Sequence, residues 1–242
     1  MANERVVLVT GAGKRVGAGI AQRLAQSGWT VGIHYRSSAD EAAEVMAVCR
    51  SAGAKAETFC ADLSEAEQVS DLVRQVEASF GRLDCLVNNA SLFFPTPLPE
   101  LTVEQFDQLY AVNLRAPLML VQAAERALRT ARGTVINLSD AGLQRPWVDY
   151  LAYMATKGGL DTLTAGLARA LAPDVRVVGV APGVAAWPDD YDQETRDRLT
   201  AKIPLQRAGT VEDIASLVHF LLHEGTYIDG VTIPVDGGRR IG

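Results

Sequence analysis

Short apolar runs, rich in β-branched residues, alternate along the chain with longer stretches of helical periodicity. Near-continuous apolar runs such as residues 177–180 are typical of strands that are covered on both faces. Strands are predicted over residues 6–9, 30–35, 55–60, 83–87, 133–138, 175–180 and 231–235. This alternation predicts an α/β fold with a doubly wound, seven-stranded parallel sheet and helices on both of its faces.

Capping boxes mark where several helices should begin. In such a box a Ser or Thr is followed three positions later by Glu or Gln, and the two side chains satisfy backbone N–H groups of the first turn. The pairs that fit are Ser38 with Glu41, Ser64 with Glu67, and Thr102 with Gln105.

The helix predicted over residues 103–129 contains a proline, Pro117. Proline has no N–H, so the hydrogen bond from residue 117 to the carbonyl of Asn113 cannot form. The helix should therefore bend here, and the freed carbonyl is available to a water molecule. The alternative is a proline that the bent helix tolerates without any proton relay.

No shift in composition marks a linker, so residues 1–242 are predicted to form a single domain. The stretch over about residues 183–209 is long for a connection, and we expect it to form a lid over a site. Its aromatic and acidic residues include Trp187, Asp189, Asp190, Tyr191 and Asp192. These residues either shape a pocket or lie in a solvated loop.

The composition argues against several functions. The chain has 23 Lys and Arg against 29 Asp and Glu, a net charge of −6, which offers no basic patch to nucleic acid or a membrane surface. No segment fits a signal peptide or a membrane-spanning helix, so we expect a cytoplasmic protein. The three cysteines lack metal-like spacing and are expected to be reduced core thiols. His219 and His223 share a helix face without an evident third ligand, so no metal site is expected.

Tyr153 and Lys157 stand four positions apart, which places both on one face of a helix. A cation beside a phenol favours the phenolate, so we expect Lys157 to lower the pKa of Tyr153 toward a range useful for acid–base chemistry. Asp140 precedes Tyr153 by thirteen residues and follows the fifth predicted strand. Ligands bind beyond the carboxyl ends of parallel strands, which favours a site residue over a solvated turn at Asp140.

The first predicted strand runs into a glycine-rich segment, TGAGKRVG, over residues 10–17. Glycines in this place let the backbone turn sharply and approach a pyrophosphate at the N-terminus of the next helix. A glycine-rich turn alone is a weak signal, and its position directly after the first strand strengthens it.

With this turn the chain resembles the short-chain dehydrogenase/reductases. The usual turn of that family is TGxxxGxG, and Arg15 stands here at the middle glycine. The other motifs of the family follow in order over essentially the whole chain. They are Asp62, Asn88-Asn89-Ala90, Asn113, the Tyr153 and Lys157 pair, and Pro182-Gly183.

The resemblance implies a Rossmann-type domain and a homotetramer that packs through the Tyr153 helix and the C-terminal strand. It implies catalytic roles for Asn113, Tyr153 and Lys157, with the Asn113 carbonyl supporting a water that links Lys157 to solvent. The residues that it assigns to the cofactor are Gly11, Lys14, Arg15, Val16, Gly17, Tyr35, Arg36, Ser37, Asp62, Leu63, Asn89, Ala90, Ser91, Tyr153, Lys157, Pro182, Gly183 and Val184.

Several departures from the general pattern resemble the pteridine reductase branch. These are the TGxxxRxG turn, the His-Tyr-Arg-Ser segment over residues 34–37, and the Ser and aromatic-Pro-Thr-Pro-Leu run over residues 91–98. The branch also places Asp where most relatives have the catalytic serine. On an ungapped count that residue is Asp140, and a shift by one position makes it Ser139. The branch implies a pterin or folate-like substrate, and the substrate contacts that we predict are Arg15, Ser91, Phe93, Ser139, Asp140 and Tyr153.

Two of these residues have simpler interpretations. Arg15 either neutralises a diphosphate or contacts the substrate. Phe93 either packs in the core or stacks on a flat heterocycle, and the prolines at 95, 97 and 99 stiffen its loop, which favours stacking.

The end of the second predicted strand indicates which nicotinamide cofactor is bound. NAD-preferring relatives usually carry Asp or Glu there, whereas this chain has Arg36 and Ser37 and no acid until Asp40. Arginine pairs well with a 2′-phosphate, and Lys14 adds positive charge from the neighbouring loop, so NADPH is predicted.

Together these residues predict an NADPH-dependent reductase of the C=N bond of a pterin, dihydropterin or dihydrofolate, with Tyr153 as proton donor. One alternative is a carbonyl reductase of a 3-oxoacyl thioester or another ketone, with Ser139 in place of Asp140. A second alternative is a non-catalytic NADPH-binding sensor, which the intact Asn113, Tyr153 and Lys157 disfavour.

Overall fold

A parallel sheet, buried on both faces, forms the centre of the molecule. In the computed structural model, which describes residues 4–187 and 191–241, its strands are β1 (Val6–Val9), β2 (Thr30–Tyr35), β3 (Ala56–Cys60), β4 (Cys85–Asn88), β5 (Thr134–Leu138), β6 (Arg176–Pro182) and β7 (Thr232–Val235). Over these residues the strands pair in the order β3-β2-β1-β4-β5-β6-β7, and every pairing is parallel. The predicted Rossmann-type, seven-stranded, single-domain α/β fold is confirmed.

Helices connect successive strands and cover both faces of the sheet. They are α1 (Arg15–Gln26), α2 (Ala39–Ser51), α3 (Ala66–Phe80), α4 (Val103–Tyr110), α5 (Ala116–Ala131), α6 (Leu151–Leu171), α7 (Gln193–Thr200) and α8 (Val211–His223). Helices α1, α2 and α8 pack on one face and α3, α5 and α6 on the other. In the described part of the chain no helix is long and apolar enough to cross a membrane.

Side-chain alternation along each strand divides the core into two layers. In β1, Val7 and Val9 face the layer that contains α1 and α8, whereas Val6 and Leu8 face the layer that contains α3 and α5. All four side chains are buried, which explains why the strand has no polar alternation in the sequence.

Several strand boundaries differ from the predicted ones. Strands β3, β5, β6 and β7 each begin one residue later than expected. Strand β4 excludes Leu83, which is buried just before the ladder begins, and it includes Asn88, whose Nδ2 donates to Asn137 Oδ1 at 2.9 Å. Strand β6 extends to Pro182 because its register with β7 continues to Val235.

Of the three predicted capping boxes, one forms. Thr102 and Gln105 make both reciprocal bonds at the start of α4. The Ser64 hydroxyl donates instead to Asp62 Oδ1 at 2.7 Å, and the N-cap position of α3 is Glu65, whose side chain makes no capping hydrogen bond. Glu41 pairs with Lys14 at 2.5 Å rather than with the backbone of Ser38. A further box, between Thr210 and Asp213, begins α8 and was not predicted.

The helix predicted over residues 103–129 is interrupted. A π-helical turn, Ala111–Arg115, separates α4 from α5, and there the N–H of Ala116 bonds to the carbonyl of Ala111. Pro117 lies in the first turn of α5, where its missing N–H costs little. The expected irregularity therefore takes the form of a widened turn around Asn113.

The fold also decides where a ligand can bind. Strand β1 lies between β2 and β4. The sheet therefore extends to one side of β1 through β2 and β3, and to the other side through β4 to β7. Such a switch point opens a crevice at the carboxyl ends of the strands, and in doubly wound sheets ligands bind there. In this chain the ends of β1, β4 and β5 lead to residues 10, 89 and 139, which all belong to predicted motifs.

Close packing between β6 and β7 makes Gly179 a sensitive position. A Cβ atom at Gly179 would lie 2.8 Å from Thr232 Cβ. We expect Gly179→Ala to lower the free energy of unfolding by about 2 kcal/mol through overpacking. Gly166 is exposed on helix α6, and a Cβ atom there meets nothing within 4 Å. Gly166→Ala should therefore raise the free energy of unfolding by about 0.5–1 kcal/mol. Urea denaturation of both variants measures the difference, and equal effects would contradict this account of the β6–β7 contact.

Candidate active site

A cavity of about 690 Å³ opens at the carboxyl ends of the strands. Every residue predicted to bind cofactor or substrate lines it. Of the predicted catalytic residues, Asp140, Tyr153 and Lys157 line it and Asn113 is buried beside it. Its wall also includes Trp147, Tyr150 and Arg239, which were not predicted.

The glycine-rich turn is held in place by the loop that follows β4. Asn89 Nδ2 donates to the carbonyls of Thr10 and Gly11, at 2.8 and 3.1 Å. Gly11 has φ +62°, which favours glycine. A Cβ atom at Gly17 would collide with the Gly11 carbonyl and lie 2.5 Å from Asn89 Nδ2. The backbone contacts made here leave no room for side chains, as a pyrophosphate cradle requires.

Arg15 has a backbone conformation that favours glycine. Its φ is +51°, in the left-handed region that non-glycine residues seldom occupy. It lines the cavity at the start of α1. A strained conformation at a ligand cavity supports a functional side chain, which is compatible with either interpretation of Arg15.

His34 connects three strand ends beneath the turn. Its Nδ1 accepts from the N–H of Gly11 at 3.0 Å, so the proton of the neutral ring is on Nε2, which lies 3.0 Å from the carbonyl of Ala61. The carbonyl of His34 also accepts from the N–H of Ala12 at 2.8 Å. Burial lowers the pKa of His34 to about 4, so the ring is neutral at physiological pH.

The end of β2 carries the charges predicted to select the cofactor. Arg36 is exposed and lines the cavity beside Ser37. Lys14 lines the cavity too, but its ion pair with Glu41 offsets part of the charge assigned to it. Asp62 Oδ1 accepts hydrogen bonds from the N–H and the hydroxyl of Ser64, at 2.9 and 2.7 Å. These hydrogen bonds lower the pKa of Asp62. Arg36 is therefore the stronger candidate for a 2′-phosphate contact.

Tyr153 and Asp140 form a hydrogen-bonded pair in the cavity. The phenol donates to Asp140 Oδ2 at 2.9 Å, and Asp140 Oδ1 accepts from the N–H of Gly142 at 2.7 Å. Burial, with the charge of Asp140 and this hydrogen bond, raises the pKa of Tyr153 well above 10.0. Burial also raises the pKa of Asp140. The expectation that the pKa of Tyr153 is lowered is wrong for this arrangement, because the acid and burial outweigh the lysine.

Lys157 lies beside the tyrosine but bonds elsewhere. Its Nζ donates to the carbonyl of Leu138 at 2.8 Å and lies 5.7 Å from the centroid of the Tyr153 ring. Burial lowers the pKa of Lys157 to about 8, against the opposing charges of Asp140 and Asp161. The ammonium is thus anchored at the end of β5, close to the pair that it was expected to influence.

Asn113 holds the loop after β4 to the neighbouring helices. Its Oδ1 accepts from the N–H of Leu92 at 2.8 Å, and its Nδ2 donates to the carbonyl of Leu92 at 2.9 Å and to Thr156 Oγ1 at 3.3 Å. The Ser91 hydroxyl also donates to Asn113 Oδ1, at 3.2 Å. The side chain therefore positions Ser91 and its loop, while the proton-relay role of the Asn113 carbonyl stays a prediction.

Phe93 is part of an aromatic cluster and not of the core. Its side chain is 44% exposed. It stacks on Tyr150, with centroids 4.6 Å apart and planes 8° apart, and meets Trp147 and Tyr153 edge to face at 6.0 and 4.9 Å. A ligand that stacks on Phe93 must use the face turned away from Tyr150. The aromatic residues between Asp140 and Tyr153 in the sequence were the available signal for this cluster.

Ser139 has a different environment from Asp140. Its hydroxyl is buried and lacks a hydrogen-bond partner among the described residues, and its N–H bonds to the carbonyl of Val180 at 2.7 Å. Ser139 still lines the cavity. A buried hydroxyl of this kind is costly unless a ligand satisfies it.

In its described residues the predicted lid contains helix α7, and the cavity is lined by residues before this helix and by Leu199 within it. Trp187 and Tyr191 are among these, with ring centroids 6.2 Å apart, which favours the pocket-shaping alternative for both. Asp189 and Asp190 lie outside the described residues. Closure of the stretch over the site stays a prediction.

The three cysteines and the pair His219 and His223 lie outside the cavity lining. Cys49 and Cys85 are buried free thiols, but Cys60 is exposed at the end of β3, so the expectation that all three lie in the core is wrong. Within the described residues no group of three or more His, Cys, Asp or Glu could hold a metal ion. His219 and His223 stack on each other with ring centroids 4.0 Å apart.

Comparisons with known proteins assign the family. A family model described as enoyl-(acyl carrier protein) reductase matches residues 11–240. A 3-oxoacyl-(acyl-carrier-protein) reductase of Staphylococcus aureus is 34% identical over 236 residues, covering 96% of each chain. Pteridine reductase 1 of Leishmania tarentolae is 36% identical over 279 residues, covering 98% of this chain and 96% of the relative. L-xylulose reductase of Bos taurus is 37% identical over 245 residues, covering 97% and 96%.

A solved structure has the same fold. A blue fluorescent protein from a metagenomic library, in complex with NADPH, matches with a TM-score of 0.91, 32% identity and 97% of each chain covered. The chain is therefore an NAD(P)-dependent oxidoreductase. It belongs to the short-chain dehydrogenase/reductase family, whose members found here are named for different substrates.

The buried neutral His34 makes stability depend on pH. The unfolded chain takes up a proton near pH 6.5 that the folded chain takes up only near pH 4. Lowering the pH through this window should reduce the free energy of unfolding by about 3 kcal/mol, and the loss is complete below it. His34→Gln should lack this contribution. The difference in the free energy of unfolding between the unmodified protein and the variant should therefore decrease by about 3 kcal/mol from pH 7 to pH 4. An imidazole NMR signal of His34 that titrates near 6.5 would contradict the prediction.

Proposed function

We propose that the protein is an NADPH-dependent reductase of the C=N bond of a pterin or dihydropterin. The observation that carries this proposal is the hydrogen bond from Tyr153 to Asp140 at 2.9 Å, in a cavity lined by an exposed aromatic ring. A carboxylate at this position accepts the N–H groups that a pterin ring presents. The similarity to pteridine reductase 1 of Leishmania tarentolae, over 98% of this chain, supports the same substrate class.

The residues of the cavity fit a dinucleotide. Gly11 and Gly17 leave the turn without side chains where a pyrophosphate would approach, and Arg36 stands where a 2′-phosphate would be bound. Tyr153 and Lys157 would hold the nicotinamide ribose. When bound, the reduced nicotinamide supplies the hydride. Because residues 36–39 at the end of β2 include the exposed Arg36 and no acid, we propose NADPH over NADH.

Tyr153 is suited to donate a proton. Its raised pKa keeps the phenol protonated at neutral pH, so a proton is present on the hydroxyl before the reaction. In the proposed step that proton passes to the ring nitrogen while the adjacent carbon receives the hydride. The phenolate left behind is disfavoured beside the carboxylate of Asp140, so the contact that keeps the phenol protonated also makes it a weaker acid. The ammonium of Lys157, 5.7 Å from the centre of the ring, favours the phenolate.

The aromatic cluster gives the substrate a fixed surface. Phe93 is held by Tyr150 and Trp147, so its partly exposed ring has a defined orientation for stacking on a flat ring. Ser91 and Arg15 line the cavity and offer polar contacts to the ring edge. Asn113 supports this arrangement through its hydrogen bonds to Ser91 and Leu92.

A second candidate function is reduction of a ketone. Ser139 offers a buried hydroxyl without a partner among the described residues, and a serine in this role would polarise a carbonyl. The similarity to a 3-oxoacyl-(acyl-carrier-protein) reductase of Staphylococcus aureus supports this alternative. It is weaker here, because Tyr153 is bonded to Asp140 and not to Ser139.

We also propose a homotetramer. Strand β7 lies at the edge of the sheet, and Val231, just before it, is 49% exposed. Helix α4, which is not one of the two elements that the family resemblance assigns to the interfaces, also presents Val103, Phe106 and Tyr110 to solvent. Apolar surfaces of this kind are typical of interfaces between subunits.

Substitution of the two neighbouring residues tests the proposal. Asp140→Ser removes the carboxylate that accepts from Tyr153, so we expect kcat/KM for dihydrobiopterin to fall by about 100-fold or more. The Kd for NADPH, measured by fluorescence titration, should change by less than about twofold, because the nucleotide-binding end of the cavity is untouched. Ser139→Ala is the matched control, and it should leave dihydrobiopterin reduction nearly unchanged. Pterin reduction that survives in Asp140→Ser but is lost in Ser139→Ala would reverse the assignment.

A further inference from the structure

The segment after β7 places an arginine in the active-site cavity. Arg239 follows a turn that is held by the carboxylate of Asp236, which accepts from the N–H groups of Gly238 and Arg240 at 3.0 and 2.9 Å. Gly237 and Gly238 have φ values of +61° and +85°, which the turn requires. The turn is therefore a defined structure, and it brings a residue near the chain end back over the site.

Arg239 contacts the aromatic cluster. Its guanidinium lies 5.4 Å from the ring centroid of Trp147, within cation–π range, and Trp147 meets Phe93 edge to face. Arg239 lines the same cavity as Asp140, and its charge opposes the rise in the pKa of that carboxyl. The guanidinium thus lies at the end of the cavity where the proposed substrate binds.

The surroundings of the guanidinium differ from those of the two lysines in the cavity. Lys14 is paired with Glu41, and Lys157 donates to the carbonyl of Leu138. For Arg239, the structure over residues 4–187 and 191–241 gives the Trp147 ring as contact and no salt bridge, although its charge acts on the carboxyl of Asp140. A guanidinium carries five N–H donors in its plane, so these stay available when its face lies on a ring.

We propose that Arg239 is a specificity-determining residue that binds the hydrogen-bond-accepting tail of a planar heterocyclic substrate. The tail acceptors are hydroxyl groups or carboxylates, and either kind matches an arginine fork. Stacking of the heterocycle on Phe93 leaves the substituent of its ring to extend along the wall that Trp147 and Arg239 form. The assignment rests on the proposed function, because it presumes a pterin or folate ring in the cavity.

Three dihydropterins that differ in the tail test the assignment. 6-Methyldihydropterin has no tail acceptor, dihydrobiopterin has hydroxyl groups, and dihydrofolate has carboxylates. We expect Arg239→Gln to raise KM for dihydrofolate by about tenfold and for dihydrobiopterin by about threefold, as the loss of a charge-assisted hydrogen bond implies. KM for 6-methyldihydropterin and for NADPH should stay within about twofold, and kcat should be unchanged at a pH where the activity is on its plateau.

Two further variants serve as controls for Arg239→Gln. Arg240→Gln removes the same charge from the neighbouring residue, which lies outside the cavity lining, and should leave all KM values unchanged. Arg239→Lys keeps the charge and should recover part of the affinity for dihydrofolate. An equal rise in KM for all three substrates would overturn the assignment, since Arg239 would then act on the ring or on Asp140. If the unmodified protein reduces none of the three, the proposed function itself fails, and the tail assignment fails with it.

Discussion

All strands of the sheet run parallel, so the carboxyl ends of β1, β4 and β5 meet at one edge, and this constraint decides which side chains come together. The glycine turn, Asn89 and Asp140 are far apart in the sequence but follow neighbouring strands. Buried polar contacts then hold these strand ends in register. His34 ties the turn to the ends of β2 and β3, and Asn89 ties it to β4. The cavity is consequently built on the rigid part of the molecule.

At the end of the cavity where the substrate is proposed to bind, the proposed reaction depends on one acid, Asp140. Had a serine stood at residue 140, the phenol of Tyr153 would have lost its anionic partner, and Lys157 would have dominated its surroundings. With Asp140 present, the hydroxyl donates to a carboxylate and keeps its proton. A tyrosine in this state is a proton donor, whereas a phenolate would be a base. The same acid can accept N–H groups, which ketones lack and pterins have.

The parts of the structure that follow from periodicity and from motifs were predictable. The strand positions and the parallel pairing follow from apolar runs, whose physical requirements are local, whereas the set of residues around the cavity follows from the motifs that the chain shares with its family. The features that were not predicted depend on which of several possible hydrogen-bond partners a side chain chooses in the folded protein. Ser64 bonds to Asp62 and not to the N-terminus of α3, and Glu41 bonds to Lys14, so two capping boxes do not form. The raised pKa of Tyr153 and the contacts of Arg239 depend on burial and on distant residues, which spacing along a chain does not determine.

The central claim is that Asp140 and Tyr153 together make a pterin reductase. The most direct measurement is the loss of NADPH absorbance when the purified, unmodified protein is mixed with dihydrobiopterin, beside an acetoacetyl thioester and with NADH in parallel. The account predicts rapid oxidation of NADPH with the pterin, little with NADH, and little with the thioester. Turnover of the thioester with no turnover of the pterin would contradict it and would move the catalytic role from Asp140 to Ser139.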